Sequence, residues 1–206
     1  MKKILLALGL VAVMGLTSCL GDNDNDNQGL TRQEIAQCFN AIKGNYTGKL
    51  LCEVNNPNNR SDYTDTLDIA WSITADTIVV INQFPQAVFI DRIGDVPLRE
   101  AIAEAAPAQF KAGIGFYKAN PVGFLLYPTS VTYDIEYDGG SHKALLAFWI
   151  NTYSYGVVSD TDRSLSMQLM VAGLYLDDNT THNYLTNSAY STNSSYPILI
   201  TNAIIR

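Results

Sequence analysis

Histidine, cysteine and positive charge are scarce in this chain of 206 residues. Its two histidines and three cysteines are widely scattered, and no Cys-x-x-Cys or His-x-x-x-His spacing occurs, so no zinc or haem site is expected. Lysine and arginine number 13 against 20 acidic residues, a formal net charge of −7, and no basic cluster interrupts the excess. Phosphate contacts need lysine and arginine, which excludes nucleic acid as a partner and electrostatic docking on anionic lipid. Gly-x-Ser-x-Gly, phosphate-loop and dinucleotide motifs are missing as well. A serine hydrolase needs nucleophile, base and orienting acid. His142 stands beside Ser141 in a hairpin turn and His182 near Asp177 and Asp178, and both read as solvent-facing loop residues. A glycosidase needs two carboxylates across a cleft; Asp134 and Glu136 instead share the polar face of an alternating strand. The expectation is a non-enzyme with no metal and no cofactor, a hydrolase being the less favoured reading.

Long apolar runs are missing too. A helix spanning a bilayer of about 30 Å takes roughly 20 apolar residues. Residues 4–16 form an apolar run shorter than that, after Lys2 and Lys3, the pattern of a signal peptide. The run ends in Leu16-Thr17-Ser18-Cys19, which resembles the lipobox of bacterial lipoproteins. The resemblance implies that 1–18 is a lipoprotein leader, cut before Cys19, and that lipid on the Cys19 thiol anchors the chain stably through two or three acyl chains. Loss of the leader leaves 11 basic against 20 acidic residues, a net −9.

Residues 19–29 read as the lipidated cysteine and a flexible acidic tether, because 22–27 alternate Asp and Asn with no apolar side chain to bury. Asp-x-Asp-x-Asp also opens a calcium loop, but Asn27 occupies the place of the turn glycine and Gln33 that of the bidentate glutamate. Acidic residues soon after the cysteine resemble the surface-export signal of Bacteroidetes lipoproteins, with Leu20 and Gly21 intervening. The implied location is the cell envelope, lipid-anchored to the outer membrane and facing periplasm or exterior.

No linker divides 30–206, and its length suits one domain with a core that needs no disulfide staples. Thr31 and Glu34 form a capping box ahead of Ile35, Cys38, Phe39 and Ile42, which predicts a helix over 32–43 stopped by Gly44. Period-two alternation follows: Tyr46, Gly48, Leu50 and Cys52; then Leu67, Ile69, Trp71 and Ile73; then 77–82 and 87–91. Asp95 and Pro97 open a second short helix over 95–106. Strands resume at 113–118, 122–127, 131–137, 143–151, 165–171 and 196–205, with Asp138-Gly139-Gly140 a hairpin signal. The fold class expected is mainly β, a single antiparallel barrel or sandwich of about nine strands with an N-terminal helix and one short internal helix.

Two stretches, Leu30-Thr31-Arg32-Gln33-Glu34-Ile35-Ala36-Gln37-Cys38-Phe39 leading into Lys43-Gly44-Asn45-Tyr46-Thr47-Gly48-Lys49-Leu50, and Asp65-Thr66-Leu67-Asp68-Ile69-Ala70-Trp71, resemble a family of Bacteroidetes lipoproteins of the domain of unknown function 4840 type. The resemblance implies source and localisation and no activity. Gly44-Asn45-Tyr46 is also similar to the Gly-x-Trp that opens the first strand of lipocalins, with tyrosine in place of tryptophan. Asp65-Thr66-Leu67 and Asp76-Thr77-Ile78 match the Bacteroidetes O-glycosylation pattern, which marks Thr66 and Thr77 beside the reading of two ordinary strand starts.

Cys38 and Cys52 both fall on core faces. An exported compartment permits a disulfide between them, yet the helix-to-strand geometry it needs is restrictive, and two buried free thiols are the favoured reading. Tyr184, Tyr190 and Tyr196, strung among Asn, Ser and Thr, are the candidate ligand-binding residues: sugar rings stack on phenol faces while polar neighbours bond the hydroxyls. An exposed loop explains the same residues. Tyr133, Tyr137, Phe148 and Trp149 are candidates for lining a barrel cavity, or for plain core packing. The functional expectation is a membrane-anchored binding module for a glycan, lipid or other small ligand, the alternative being a structural or protein-interaction subunit of the envelope.

Overall fold

A computed structural model describes residues 29–53, 64–186 and 194–202. The leader, Cys19, the tether up to Gln28 and Tyr190 lie outside the described residues. Helix α1 (Arg32–Ile42) starts as its sequence dictates. Thr31 Oγ1 accepts the Glu34 N–H while the Glu34 carboxylate accepts the Thr31 N–H at 2.8 Å, so two otherwise unpaired donors are satisfied. Gly44, at φ +147°, then lets the chain turn directly into β1 (Gly44–Glu53).

Ten strands follow the alternation. After β1 come β2 (Thr64–Ile73), β3 (Ile78–Phe84), β4 (Ala108–Ala119), β5 (Val122–Pro128), β6 (Val131–Tyr137), β7 (Gly140–Trp149), β8 (Asn151–Val158), β9 (Leu165–Leu176) and β10 (Tyr196–Thr201). All pairings are antiparallel. The order β1-β2-β3-β4-β5-β8-β9-β10 returns to β1, so eight strands close into a barrel and β6 and β7 stand outside it. Closure decides between the two architectures left open by the sequence in favour of the barrel. At the seam β10 lies between β9 and β1, with Ile198 opposite Leu169 on one side and Cys52 on the other. Gly48 is required there, because a Cβ would collide with the carbonyl oxygen of Thr201.

The β6–β7 hairpin turns through Asp138 and Gly139, both at positive φ, the conformation that matches strand twist. It extends the sheet along the second half of β9: Ala144 pairs with Leu176 and Trp149 with Met170. The barrel interior is filled by Leu50, Ile69, Trp71, Ile81, Phe124 and Leu169, all buried. α1 lies across the end where β1 begins and β4 finishes, with Tyr46 Oη donating to the Ile42 carbonyl and the Cys38 Sγ 3.9 Å from that of Lys118. Cys38 and Cys52 are both buried.

Two expectations are corrected. Residues 87–91 form no strand; the chain makes two 3-10 turns, Gln86–Val88 and Ile90–Arg92, before α2 (Val96–Glu104). Val88, Phe89 and Ile93 are apolar because this segment packs between the barrel end and the hairpin, buried on several sides without a partner strand. Conversely β8 was not anticipated, since its outward positions, Tyr153, Tyr155 and Val157, are aromatic and aliphatic where a half-buried strand ordinarily alternates with polar residues. The false strand and the missed one offset each other, 143–151 ends at Trp149, and the described residues hold ten strands where about nine are expected.

Inside the barrel, Gly156 of β8 leaves room for the buried Phe124 ring, against which an added methyl would collide. Gly156→Ala is expected to cost about 1–3 kcal/mol by overpacking, read as a lower urea midpoint at unchanged slope. Adding Phe124→Leu should recover part of the loss; a single variant as stable as the parent would show that the ring is not confined there.

Candidate functional site

The second half of β9 extends beyond the reach of β10, and the loop after it folds back along the edge so exposed. Tyr184 N–H donates to the Leu174 carbonyl at 2.9 Å, and Asn183 Oδ1 accepts from Leu174 and Leu185 at 3.0 and 3.1 Å. Asp177 and Asp178 make the intervening turn at positive φ, a conformation that aspartate tolerates better than most residues. These constraints bring together residues from the end of β6, the start of β7, the end of β9 and the returning loop.

They surround a depression of about 280 Å³ lined by Tyr137, Asp138, His142, Leu176, Asp177, Asn179, His182 and Tyr184. The His142 Nδ1 lies 2.6 Å from Asp177 Oδ2, and the other oxygen of that carboxylate accepts the Lys143 N–H at 2.9 Å. The hydrogen bond to Asp177 holds the imidazole above its ordinary pKa. Asp177 is held below the usual carboxylate range, first by the Lys143 amide and then by His142. Tyr137 Oη donates to Asp95 Oδ2 at 2.9 Å, which pushes the phenol pKa up. The other Asp95 oxygen accepts the Leu98 N–H and caps α2, so one carboxylate ties that helix to the pocket wall. The His182 ring meets Tyr184 edge to face at 4.4 Å.

Of the residues singled out from sequence, Tyr184 lies in this depression and Tyr190 is outside the described residues. Tyr196 is buried: its hydroxyl donates to the Val88 carbonyl at 3.0 Å, and the Arg92 guanidinium, itself buried, sits 4.0 Å from its ring centroid. Tyr196 therefore joins barrel to end plug and offers no exposed stacking face. The cavity-lining group is corrected as well. Tyr133 is buried against Phe89, Phe148 packs on Phe84 and Phe110, and Trp149 is outward and half-exposed. Tyr137 lines the depression beside β9, which lies outside the barrel. Thr66 is exposed on β2, while Thr77 is half-buried at φ +56° with its hydroxyl donating to the Asp76 carbonyl. Asp134 and Glu136 are exposed, as expected, with Asp134 2.7 Å from Lys143 Nζ.

Sequence reasoning set the histidines apart as loop residues, 40 positions from one another, whereas the fold places both on one depression. The register of β7 with β9 lays 142 and 143 beside the turn at 177, a pairing that leaves no signal in the sequence. Among the described residues that line it there is no serine, threonine or cysteine.

A family model described as "Domain of unknown function (DUF4840)" covers residues 41–176, about two thirds of the chain, from the end of α1 to the last residue of β9. No curated protein and no solved structure matches.

The pair has a defined pH signature. With its pKa raised from 6.5, His142 adds stability that is fully present below that value and lost as pH rises through the elevated one. Asp177, lowered from 3.8, adds stability present above that value and lost as pH falls through its depressed one. Asp177→Asn should return the NMR titration of His142 towards its ordinary pKa, and its melting temperature should fall furthest below the parent's in weakly acidic solution. The deficit should narrow as pH climbs past the raised pKa. An unchanged titration would mean that the pair does not form.

Proposed function

The chain belongs to the DUF4840 family, whose description names no activity, and we propose that it is a non-catalytic binding module taking a small polar ligand of sugar size in the depression beside β9. One observation carries this reading: two imidazoles, a fixed carboxylate and two phenols converge on a single concavity whose walls are pinned by backbone hydrogen bonds. Its volume of about 280 Å³ lies at the small end for ligand sites, which run from about 300 to 1,000 Å³, and so favours a monosaccharide-sized molecule over an acyl chain. The mixture of apolar ring faces with donors and acceptors is the chemistry that a sugar demands.

The leader pattern and Cys19 support a place at the cell envelope, anchored by lipid to the outer membrane. The eight-stranded barrel entered through Gly44-Asn45-Tyr46 supports a lipocalin-like relationship, with the difference that the ligand site proposed lies outside a filled barrel.

The reading is tested by following the ring protons of His142 and His182 by NMR while neutral sugars, amino sugars and uronic acids are added in turn. One class should shift both imidazoles together, and Tyr184→Ala should weaken that ligand by roughly tenfold, the scale of a lost aromatic contact. If no class moves either ring at millimolar concentration, the depression is not a sugar site. For the anchor, Cys19→Ser should move the chain from the membrane pellet to the soluble fraction, and equal recovery of both forms in the pellet would refute lipidation there.

A further inference from the structure

Outside the pocket, the barrel carries a second concentration of exposed rings. Tyr117 on β4, Tyr127 on β5, Tyr153 and Tyr155 on β8 and Trp149 at the end of β7 are 54%, 43%, 56%, 36% and 49% exposed. Strand register makes these one surface. Leu125 stands opposite Gly115 on one side and Tyr155 on the other, Tyr127 opposite Gly113, and Tyr155 opposite Gln168 of β9. The Trp149 and Tyr153 rings lie 6.2 Å apart.

Two features set this face apart from an ordinary apolar patch. The first is the seating of the rings. A Cβ at Gly115 would lie 2.9 Å from the Tyr127 ring, and one at Gly123 would lie 2.9 Å from that of Tyr117. Each tyrosine thus lies over the bare backbone of a glycine on the neighbouring strand, flush with the sheet. The second is charge. From Gly113 to Tyr117 on β4, Gly123 to Tyr127 on β5, Tyr153 to Val157 on β8 and Ser166 to Met170 on β9, the outward positions hold no charged residue, and the exposed Lys111 and Lys118 stand at the two ends of the β4 stretch.

A protein partner is gripped by side chains that project into pockets, and a bilayer surface is held by apolar tips flanked by lysine and arginine. Rings lying flush on the sheet, with no projecting apolar tip and charge confined to two lysines at the edge, suit neither. They suit a linear chain of uncharged sugars, whose C–H faces lie on the rings while hydroxyls reach the phenols and the amide of Gln168. We propose that the outer face of β4, β5, β8 and β9 is a binding platform for an extended, neutral polysaccharide. It shares no residue with the His142 pocket, and either site stands if the other fails.

The test is affinity electrophoresis of the full chain through gels containing, one at a time, a neutral α-glucan, a neutral β-glucan and a galactomannan. At least one should retard migration. Tyr127→Ala with Tyr155→Ala should weaken that retardation about tenfold or more, taking each ring as worth a few-fold in affinity. Tyr127→Phe with Tyr155→Phe keeps both rings and should keep most of the binding, and His142→Ala should leave it intact. Migration unaffected by all three polymers overturns the proposal, as does retardation indifferent to loss of the rings, or a phenylalanine variant as weak as the alanine one. Two further measurements can also overturn it. One is sedimentation showing a dimer that the alanine pair dissolves; the other is flotation with anionic vesicles that the same pair abolishes. These would assign the face to a second copy of the chain or to a membrane.

Discussion

Everything in this molecule depends on the way the hydrogen bonds of one strand are shared out. β9 is 12 residues long and pairs on one edge with β8 and then β7, on the other with β10 and then the returning loop. Its first half belongs to the barrel and its second half leaves it. Leu165, Met167, Leu169 and Val171 face the barrel core, whereas Leu174 and Leu176 pack beneath the hairpin. Without the first half the ring of eight strands has no closure; without the second there is no support for β6, β7 or the pocket.

The same division explains why polar chemistry gathers where it does. Backbone groups on a buried sheet edge must find partners, and beyond β10 the edge of β9 finds them in Asn183 and Tyr184. Side chains from the returning loop are thereby carried over the hairpin turn. The Asp177 carboxylate completes the arrangement by accepting from both an imidazole and an amide on β7. An exposed ion pair of this sort contributes little to stability on its own; its effect is to orient the imidazole.

How much of this was legible in the residues varies with the kind of signal. Local signals were read correctly: the Thr31–Glu34 box, the Asp95 cap, the Asp138-Gly139 turn and the alternation of β1, β2, β6 and β9 all depend on neighbours within a few positions. β8 was missed because its exterior is apolar, so hydropathy alone could not separate its two faces. Residues 87–91 were misread for the converse reason, since burial on several sides imitates a strand. Tyr196 looked like part of a polar loop, yet its environment is decided by Arg92 and Val88, over 100 positions away. The convergence of His142 with His182 likewise needs the β7–β9 register, a pairing that no single-chain periodicity encodes.

The position of β10 in the ring has a kinetic consequence. Its partners are β9, close by in sequence, and β1, with Lys49 opposite Thr201 across some three quarters of the chain. Until that strand docks, β1 and β9 are bare edges of a large apolar sheet, the kind that pairs with other chains. Contacts of such sequence separation are slow to form. β10 therefore has to be synthesised before the molecule can protect itself, and any factor that delays collapse of the emerging chain would favour the closed barrel over aggregation.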